Sequence, residues 1–407
     1  YITNPIKCRP PNNRVPDPDE LEACRPFLEE EIQLVNPKAI IALGDVASLI
    51  STGKTVKCRG YIQKESYLGR PVLITYHPAY LVYGAREDMF SVICNDLEKL
   101  HTLDFWLNFP DNQDYTTVSN LQMLISFFEE STNSWVAVDI ETKGSVGNTE
   151  AKAGLNPFQD EIIGIAFYNG KRAIHIDGLK YFDEVKRFLE SHKEIIYQNN
   201  KFDCTFLRLK GINSNVAWDT KTAMYLVKPD IKKDLDFLRS LYTNFLPYKA
   251  EVRKRKVSSL SPEKLSWYNC RDTDTTWWVK KAQEGFTDSS VLKRILKLDK
   301  VAIDMRIRGC LVDQEALSSH YIQLLPRVTT LSEEFEKKYG VNLNSPKQLA
   351  VLLYDEMKLP MLSRRSTDEK TLEKLNERLI YAEEKEKLLL KEILEYRELH
   401  KITSVYC

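Results

Sequence analysis

A strongly apolar run, Val136-Ala137-Val138-Asp139-Ile140-Glu141-Thr142, carries two carboxylates at alternate positions. A strand sends residues two apart to the same face, so Asp139 and Glu141 project together from an otherwise apolar element. Neighbouring carboxylates resist joint ionisation unless a cation sits between them. A solvated strand end accounts for one such pair standing alone, but this chain holds two further acidic sites. Gln198-Asn199-Asn200-Lys201-Phe202-Asp203 follows the apolar Ile195-Ile196-Tyr197, which sets Asp203 just past a strand end, near the start of a helix. Tyr268-Asn269-Cys270-Arg271-Asp272 lies in a helical pattern that continues through Trp277, Trp278 and Val279. There Tyr268 and Asp272 share one helical face. Four carboxylates from three elements suit a pair of hard divalent cations, Mg²⁺ or Mn²⁺, which take oxygen ligands. Such a pair activates a water on one side and stabilises the leaving oxygen on the other, the usual solution for phosphodiester cleavage. Tyr268, one turn before a ligand, can hold the attacking water.

The remainder of the chain has to build cores around this set, and its composition allows that. With 407 residues, 43% hydrophobic and 10% aromatic, it is long enough for several domains and too apolar for wholesale disorder. Lys+Arg and Asp+Glu both number 58, which excludes a polybasic tail but leaves room for a basic groove. No apolar run approaches the roughly 18 residues of a membrane span. Eight cysteines are too sparse for a disulfide scaffold and point to a reducing interior. The chain starts at Tyr1 with no basic-then-apolar signal pattern. We expect a cytoplasmic protein of a bacterial or phage-infected cell, without a membrane partner and with no small-molecule cofactor beyond metals.

Three textures follow one another, together an α/β multi-domain chain. Residues 1–103 alternate short apolar runs (Ala39–Leu43, Val72–Thr75) with Pro- and Gly-bearing loops, the pattern of an α/β unit. Leu107–Thr117, with Pro110, Asp111, Asn112 and Asp114, reads as a linker. Residues 118–285 predict a helix over Ser119–Glu130, strands over Trp135–Glu141, Glu161–Tyr168, Lys171–Ile176 and Glu194–Gln198, and helices between. From 286 to 407 charged helical sequence dominates, including Tyr381–Tyr396, with capping boxes at Ser345-Pro346-Lys347-Gln348 and Ser366-Thr367-Asp368-Glu369.

The ordered carboxylates and the tyrosine resemble the 3′–5′ exonuclease domains of the DEDDy class, on a ribonuclease H-like fold, and most closely the proofreading domain of family A DNA polymerases. That resemblance implies catalytic roles for Asp139, Glu141, Asp203, Tyr268 and Asp272, with the four carboxylates as metal ligands. Trp218-Asp219-Thr220, followed by a helix over Lys221–Val227, is similar to a further segment of that domain, and Asp219 is expected to cap the helix. In the C-terminal third, Met305, Gly309, Val312, Asp313, Asn344–Leu349, Ser366–Glu369 and Glu395–Leu399 resemble the start of a family A polymerase domain. These imply a helical thumb gripping the primer–template backbone, with Lys347, Arg364 and Arg365 as candidates for phosphate contact. No palm segment follows, so nucleotide incorporation is not expected.

The N-terminal hundred residues resemble the C-terminal half of a family 4-type uracil-DNA glycosylase. The matching residues are Asn4-Pro5-Ile6-Lys7-Cys8, Arg14, Pro16, Glu20, Cys24, Ile40–Gly44 and Thr75-Tyr76-His77-Pro78. By that resemblance Cys8 and Cys24 are two of four ligands to a [4Fe–4S] cluster. Asn4 would read a flipped base and His77 would stabilise the departing uracil anion. The other two ligands and the water-positioning loop are absent, so the cluster is expected only in a longer parent chain, and base excision is not expected.

The expected activity is metal-dependent 3′–5′ hydrolysis of DNA on single strands or a frayed primer 3′ end, releasing nucleoside monophosphates, within a replication–repair fusion polymerase. Asn199 and the basic loop Lys249, Arg253, Lys254, Arg255 and Lys256 are candidates for nucleic-acid contact, although such a charge run is also an ordinary solvated face. Two rivals stand beside this reading. One is an RNA-processing exonuclease on the same fold; the other is a non-catalytic docking module derived from a glycosylase.

Overall fold

A computed structural model describes residues 1–83, 89–144, 155–249, 257–362, 365–378 and 384–406. Its contacts divide into two units, Tyr1–Arg308 and Gly309–Cys407. In the first unit the early apolar runs become strands β1 (Ile40–Leu43), β2 (Ile62–Tyr67) and β3 (Arg70–Thr75). They form a small sheet in the order β1-β3-β2, with β1 parallel and β2 antiparallel to β3. Leu28 of the helix Pro18–Val35 packs against this sheet together with Ala42, Tyr67 and Val72.

A six-stranded mixed sheet follows, built from β4 (Tyr115–Thr117), β5 (Val136–Lys143), β6 (Glu161–Tyr168), β7 (Ala173–Asp177), β8 (Ile195–Tyr197) and β9 (Trp218–Asp219). Their order is β4-β7-β6-β5-β8-β9. The central β5, β6 and β7 run antiparallel, while β4, β8 and β9 join by parallel pairing. Two departures from the sequence reading lie here. The predicted linker ends in an edge strand, because Tyr115–Thr117 pairs with Ala173–His175. The short β9 extends the opposite edge, where Ile196 pairs with Trp218 and Tyr197 with Asp219.

The sheet's two faces differ in side-chain size. Val136, Val138 and Ile140 join Phe127, Phe167, Phe188 and Leu207 in the main core on one face. The opposite face presents Ala137, Ala166 and Ala173, all fully buried. Such small side chains let the long helix Pro262–Gln283 lie close on β5, β6 and β7, with Cys270 sealed between. The helix Ser289–Arg308 also belongs to this unit, although its charged texture groups it with the C-terminal third. Leu292 and Leu296 pack with Trp218 and Ala223, Ile303 enters the main core, and Asp299 accepts from Lys201 at 2.8 Å and from Asn200 at 3.0 Å.

The second unit is helical. Its core joins Val328 and Phe335 of the helix Gln314–Tyr339, Leu349, Leu372 and Leu375, and Leu389, Leu390, Ile393 and Tyr396 of the helix Glu384–Lys401. Ser345 caps the helix Pro346–Val351 as expected, but Gln348 reaches back to Asn342 N, at 2.8 Å, so the box is not reciprocal. At the second box the cap moves to Asp368, whose carboxylate accepts from Thr371 N at 2.8 Å. Arg365 pairs with Asp355, Lys347 is exposed, and Arg364 lies outside the described residues.

Candidate active site

The pleat and one helical turn assemble the site. Asp139 and Glu141 point to the same face of β5, and a register shift between Glu141 and Thr142 interrupts pairing with β6 there. Asp272, on the facing helix, completes the group: ligand oxygens of Asp139, Glu141 and Asp272 lie within 4.8 Å of one another. Asp203 is not part of that group. It sits buried on the helix Asn200–Leu209, beside β5, where its Oδ1 accepts from Ile140 N at 3.1 Å.

So many carboxylates in a poorly solvated place favour their neutral forms. Burial, then repulsion from Glu141, Asp272 and Asp203, raises Asp139 well above the carboxylate range. Burial and Asp272 push Glu141 up to about 8. Burial also pushes Asp203 up to about 8, although the amide of Ile140 opposes the shift. Mutually repelling carboxylates whose ligand oxygens lie within 4.8 Å of one another fit hard divalent cations. The Tyr268 phenol is raised by burial and by Asp272, Glu141 and Asp139, so it stays protonated.

Three neighbours of the site escaped the sequence reading. Asn269 Nδ2 donates to Asp139 Oδ2 at 2.7 Å, and its Oδ1 meets His175 Nδ1 at 3.0 Å, giving a buried chain His175–Asn269–Asp139. The bond to Asp139 requires the amide to point its nitrogen there, so His175 Nδ1 carries the proton. Tyr248 OH donates to Asp272 Oδ1. Asn269 stood inside the Tyr268–Asp272 segment and was the one member whose position signalled it; nothing in the sequence singled out His175 or Tyr248.

Lys249 takes a different place from the one expected of a solvated loop. Its Nζ lies 2.7 Å from Asp272 Oδ2, with the side chain 17% exposed. Burial works against its charge, yet Asp272, Asp139 and Glu141 together hold it above its ordinary range. Arg253 and Arg255, with Lys254 and Lys256, lie outside the described residues. Asn199 adopts a left-handed conformation (φ 71°) between β8 and the next helix, and its Oδ1 accepts from Lys221. Asp219 caps the helix Thr220–Val227 through Thr222 N at 2.7 Å and also accepts from Asn200 N at 2.6 Å.

In the N-terminal segment Asn4 and His77 are exposed, and His77 Nδ1 accepts from Ala79 N at 3.1 Å. Cys8 and Cys24 are free thiols; Cys24 is buried and accepts from Lys7 N at 3.3 Å. Among the described residues the acidic trio is the one group of three or more His, Cys, Asp or Glu side chains whose ligand atoms lie within 4.8 Å of one another.

Models of three families match successive parts of the chain: the uracil DNA glycosylase superfamily over residues 1–98, 3′–5′ exonuclease over 115–282 and DNA polymerase family A over 314–407. DNA polymerase I of Borreliella burgdorferi is 27% identical over 330 residues, covering 77% of this chain and 35% of its own. A type-4 uracil-DNA glycosylase of Thermotoga maritima is 42% identical over 104 residues, 24% of this chain and 53% of its own. The chain therefore spans about a third of one relative and about half of the other. A solved POL domain of Pol1 from M. smegmatis, in complex with DNA primer-template and dNTP, covers 71% of this chain and 49% of its own at 17% identity and TM-score 0.47. Read in order along the chain, the family matches place a 3′–5′ exonuclease segment between a uracil DNA glycosylase-like segment and a DNA polymerase family A segment.

Proposed function

We propose that the chain is a metal-dependent 3′–5′ exonuclease that removes nucleoside monophosphates from a DNA single strand or a frayed primer end, in a bacterial-type cytoplasm. The observation that carries this reading is the convergence of Asp139, Glu141 and Asp272 within 4.8 Å, with the Tyr268 phenol in their field. Asp139, Glu141 and Asp272, with Asp203 beside them, would hold Mg²⁺ or Mn²⁺. When bound, divalent cations supply Lewis-acid chemistry, easing ionisation of a water and neutralising charge on the leaving oxygen. The chain's own residues orient the rest. Tyr268 keeps its proton and aligns the attacking water. Asn269, fixed by His175, turns Asp139 so that one carboxylate oxygen is engaged and the other is free for a cation. Asn199, Arg253 and Arg255 remain the proposed contacts to the strand, whereas Lys249 is engaged on Asp272.

The DNA polymerase I relatives favour DNA over RNA as substrate. The test is digestion of 5′-labelled DNA and RNA strands of one sequence, with Mg²⁺ and with EDTA. A ladder shrinking from the 3′ end of DNA, abolished by EDTA, is expected. Preferential RNA digestion, or shortening that persists without metal, would sink the reading.

A further inference from the structure

Asp272 is held by two residues of a strap, 243–249, that has little regular structure and is anchored at its other end in the glycosylase-like segment. Tyr248 and Lys249 close on the two oxygens of Asp272. Further back, Phe245 lies against the guanidinium of Arg271, 3.5 Å from its ring centroid, and packs edge-on to Phe109 at 5.3 Å. The Phe245 carbonyl accepts from Arg239. The strap's first residues then meet the small sheet. Asn244 Oδ1 accepts from Ile62 N at 2.7 Å, and its Nδ2 donates to Ile62 O and Trp106 O, each at 3.0 Å.

Lys99 fastens the same joint. Lys99 is 3% exposed, and its Nζ donates to Gly60 O at 2.6 Å and to Ser240 O and Thr243 O at 3.0 Å each. Three carbonyls satisfy three donors, which is what a buried lysine requires. Arg59, paired with Asp96 at 2.7 Å, donates to Ser240 Oγ as well. The backbones approach so closely that a Cβ on Gly60 would lie 2.1 Å from Ser240 O, and its φ of +76° itself favours glycine. Nothing in the chemistry of base excision calls for these contacts to the exonuclease side.

We propose that the glycosylase-like segment is an internal positioning partner of the exonuclease: by anchoring the strap at Asn244 and Thr243 it holds Tyr248 and Lys249 on Asp272, and so sets the carboxylate for cation binding. Ordering an irregular strap costs conformational entropy, and the buried anchor offsets that cost before a cation arrives. Lys99, Asn244, Tyr248 and Lys249 are positioning residues in this account. The inference rests on the exonuclease reading for the role of Asp272.

The test is Mn²⁺ titration of the full chain, followed by electron paramagnetic resonance of free Mn²⁺, with single-turnover cleavage of a 5′-labelled strand run in parallel. Asn244→Ala is expected to weaken Mn²⁺ binding by about tenfold or more, the scale set by groups that orient a metal ligand. The Mn²⁺ needed for half-maximal cleavage should rise by the same factor, while the rate at saturating Mn²⁺ stays near the parent's. Midpoints equal to the parent's, or lowered amplitudes with unmoved midpoints, overturn the proposal. Tyr248→Phe removes only the phenol's bonds to Asp272 and Thr275 and decides the matter if Asn244→Ala does not fold. It must show the same shift, and parental midpoints overturn the proposal again. A parent that binds Mn²⁺ but shortens no strand defeats the exonuclease reading while the binding shift still tests the strap. A parent that cleaves, with variants sharing its midpoints, defeats the strap alone.

Discussion

At the scale of single residues, Asp139, Tyr268 and Asp219 are expected to do different work. Asp139 contributes an oxygen to the candidate metal site, so Asp139→Ala should lose most cleavage, by several orders of magnitude. On the proposed reading Tyr268 aligns only a water, so Tyr268→Phe should lose about 10²–10⁴-fold and keep its Mn²⁺ midpoint. Asp219 is neither. It accepts from Thr222 N, Asn200 N and Asn200 Nδ2 in full burial, so Asp219→Ala leaves buried donors unpaired. The expected cost is roughly 1–3 kcal/mol of stability, with cleavage preserved in the molecules that stay folded. Urea unfolding beside single-turnover cleavage separates the three; a folded Asp219→Ala as inactive as Asp139→Ala would move Asp219 into the site. The raised carboxyls give a pH prediction of definite sign. Burial and mutual repulsion put Glu141 and Asp203 at about 8, so without metal the folded chain keeps protons that the unfolded chain releases. Metal-free stability therefore falls as pH rises from the ordinary carboxylate range toward 8, and cations that bind the ionised forms restore it. The Tm difference between Mg²⁺ and EDTA should be wider at about pH 9 than at about pH 6. Equal gaps at both would separate these carboxylates from metal binding.

At the scale of elements, the site depends on how closely β6, β7 and the long helix approach. Gly164 pairs with Glu141 across β5 and β6, and a Cβ there would lie 2.4 Å from His175 Cε1. Gly164→Ala should push the imidazole off Asn269, release the amide from Asp139 and cost roughly 1–3 kcal/mol as overpacking. A raised Mn²⁺ midpoint together with a lowered urea midpoint is the expected pair; an unchanged Mn²⁺ midpoint would show that His175 does not orient the site. Much of this arrangement was legible beforehand, since a period of two puts Asp139 and Glu141 on one face and a helical turn puts Tyr268 over Asp272. Other parts were not. Asn269 and Tyr248 are neutral, and a hydrogen bond that turns a carboxylate leaves no periodic trace. Lys249 sits in a basic run whose charge suggests solvent, while its burial comes from a strap folded back onto Asp272. Tyr115–Thr117 hides behind Pro110 and Asp111 because an edge strand needs only one partner, which tertiary structure supplies.

At the scale of the whole chain, the division of structure is not the one that sequence texture suggests, and the difference can be tested by cutting. Texture changes after residue 285, where charged helix begins, yet Leu292, Leu296 and Ile303 of the helix Ser289–Arg308 are buried with exonuclease residues. The cluster of Val328, Phe335, Leu353, Leu390 and Ile393 is separate. Each aliphatic side chain lost from a core costs roughly 2–5 kcal/mol. A domain's whole margin is about 5–15 kcal/mol. Removing all three, and with them Asp299 from Asn200 and Lys201, should therefore consume most of the margin. A chain of residues 1–308 is expected to unfold in one cooperative urea transition and to keep the parent's Mn²⁺ midpoint for cleavage. A chain of residues 1–285 should unfold at markedly lower urea or fail to fold. The anchor of the 243–249 strap makes the amino side asymmetric with this: residues 104–308 lack Lys99, Gly60 and Ile62, so they should fold less stably than 1–308 and bind Mn²⁺ more weakly. If 1–285 proves as stable as 1–308, the last helix is an appendage of the polymerase-like part and the boundary belongs where the sequence changes texture.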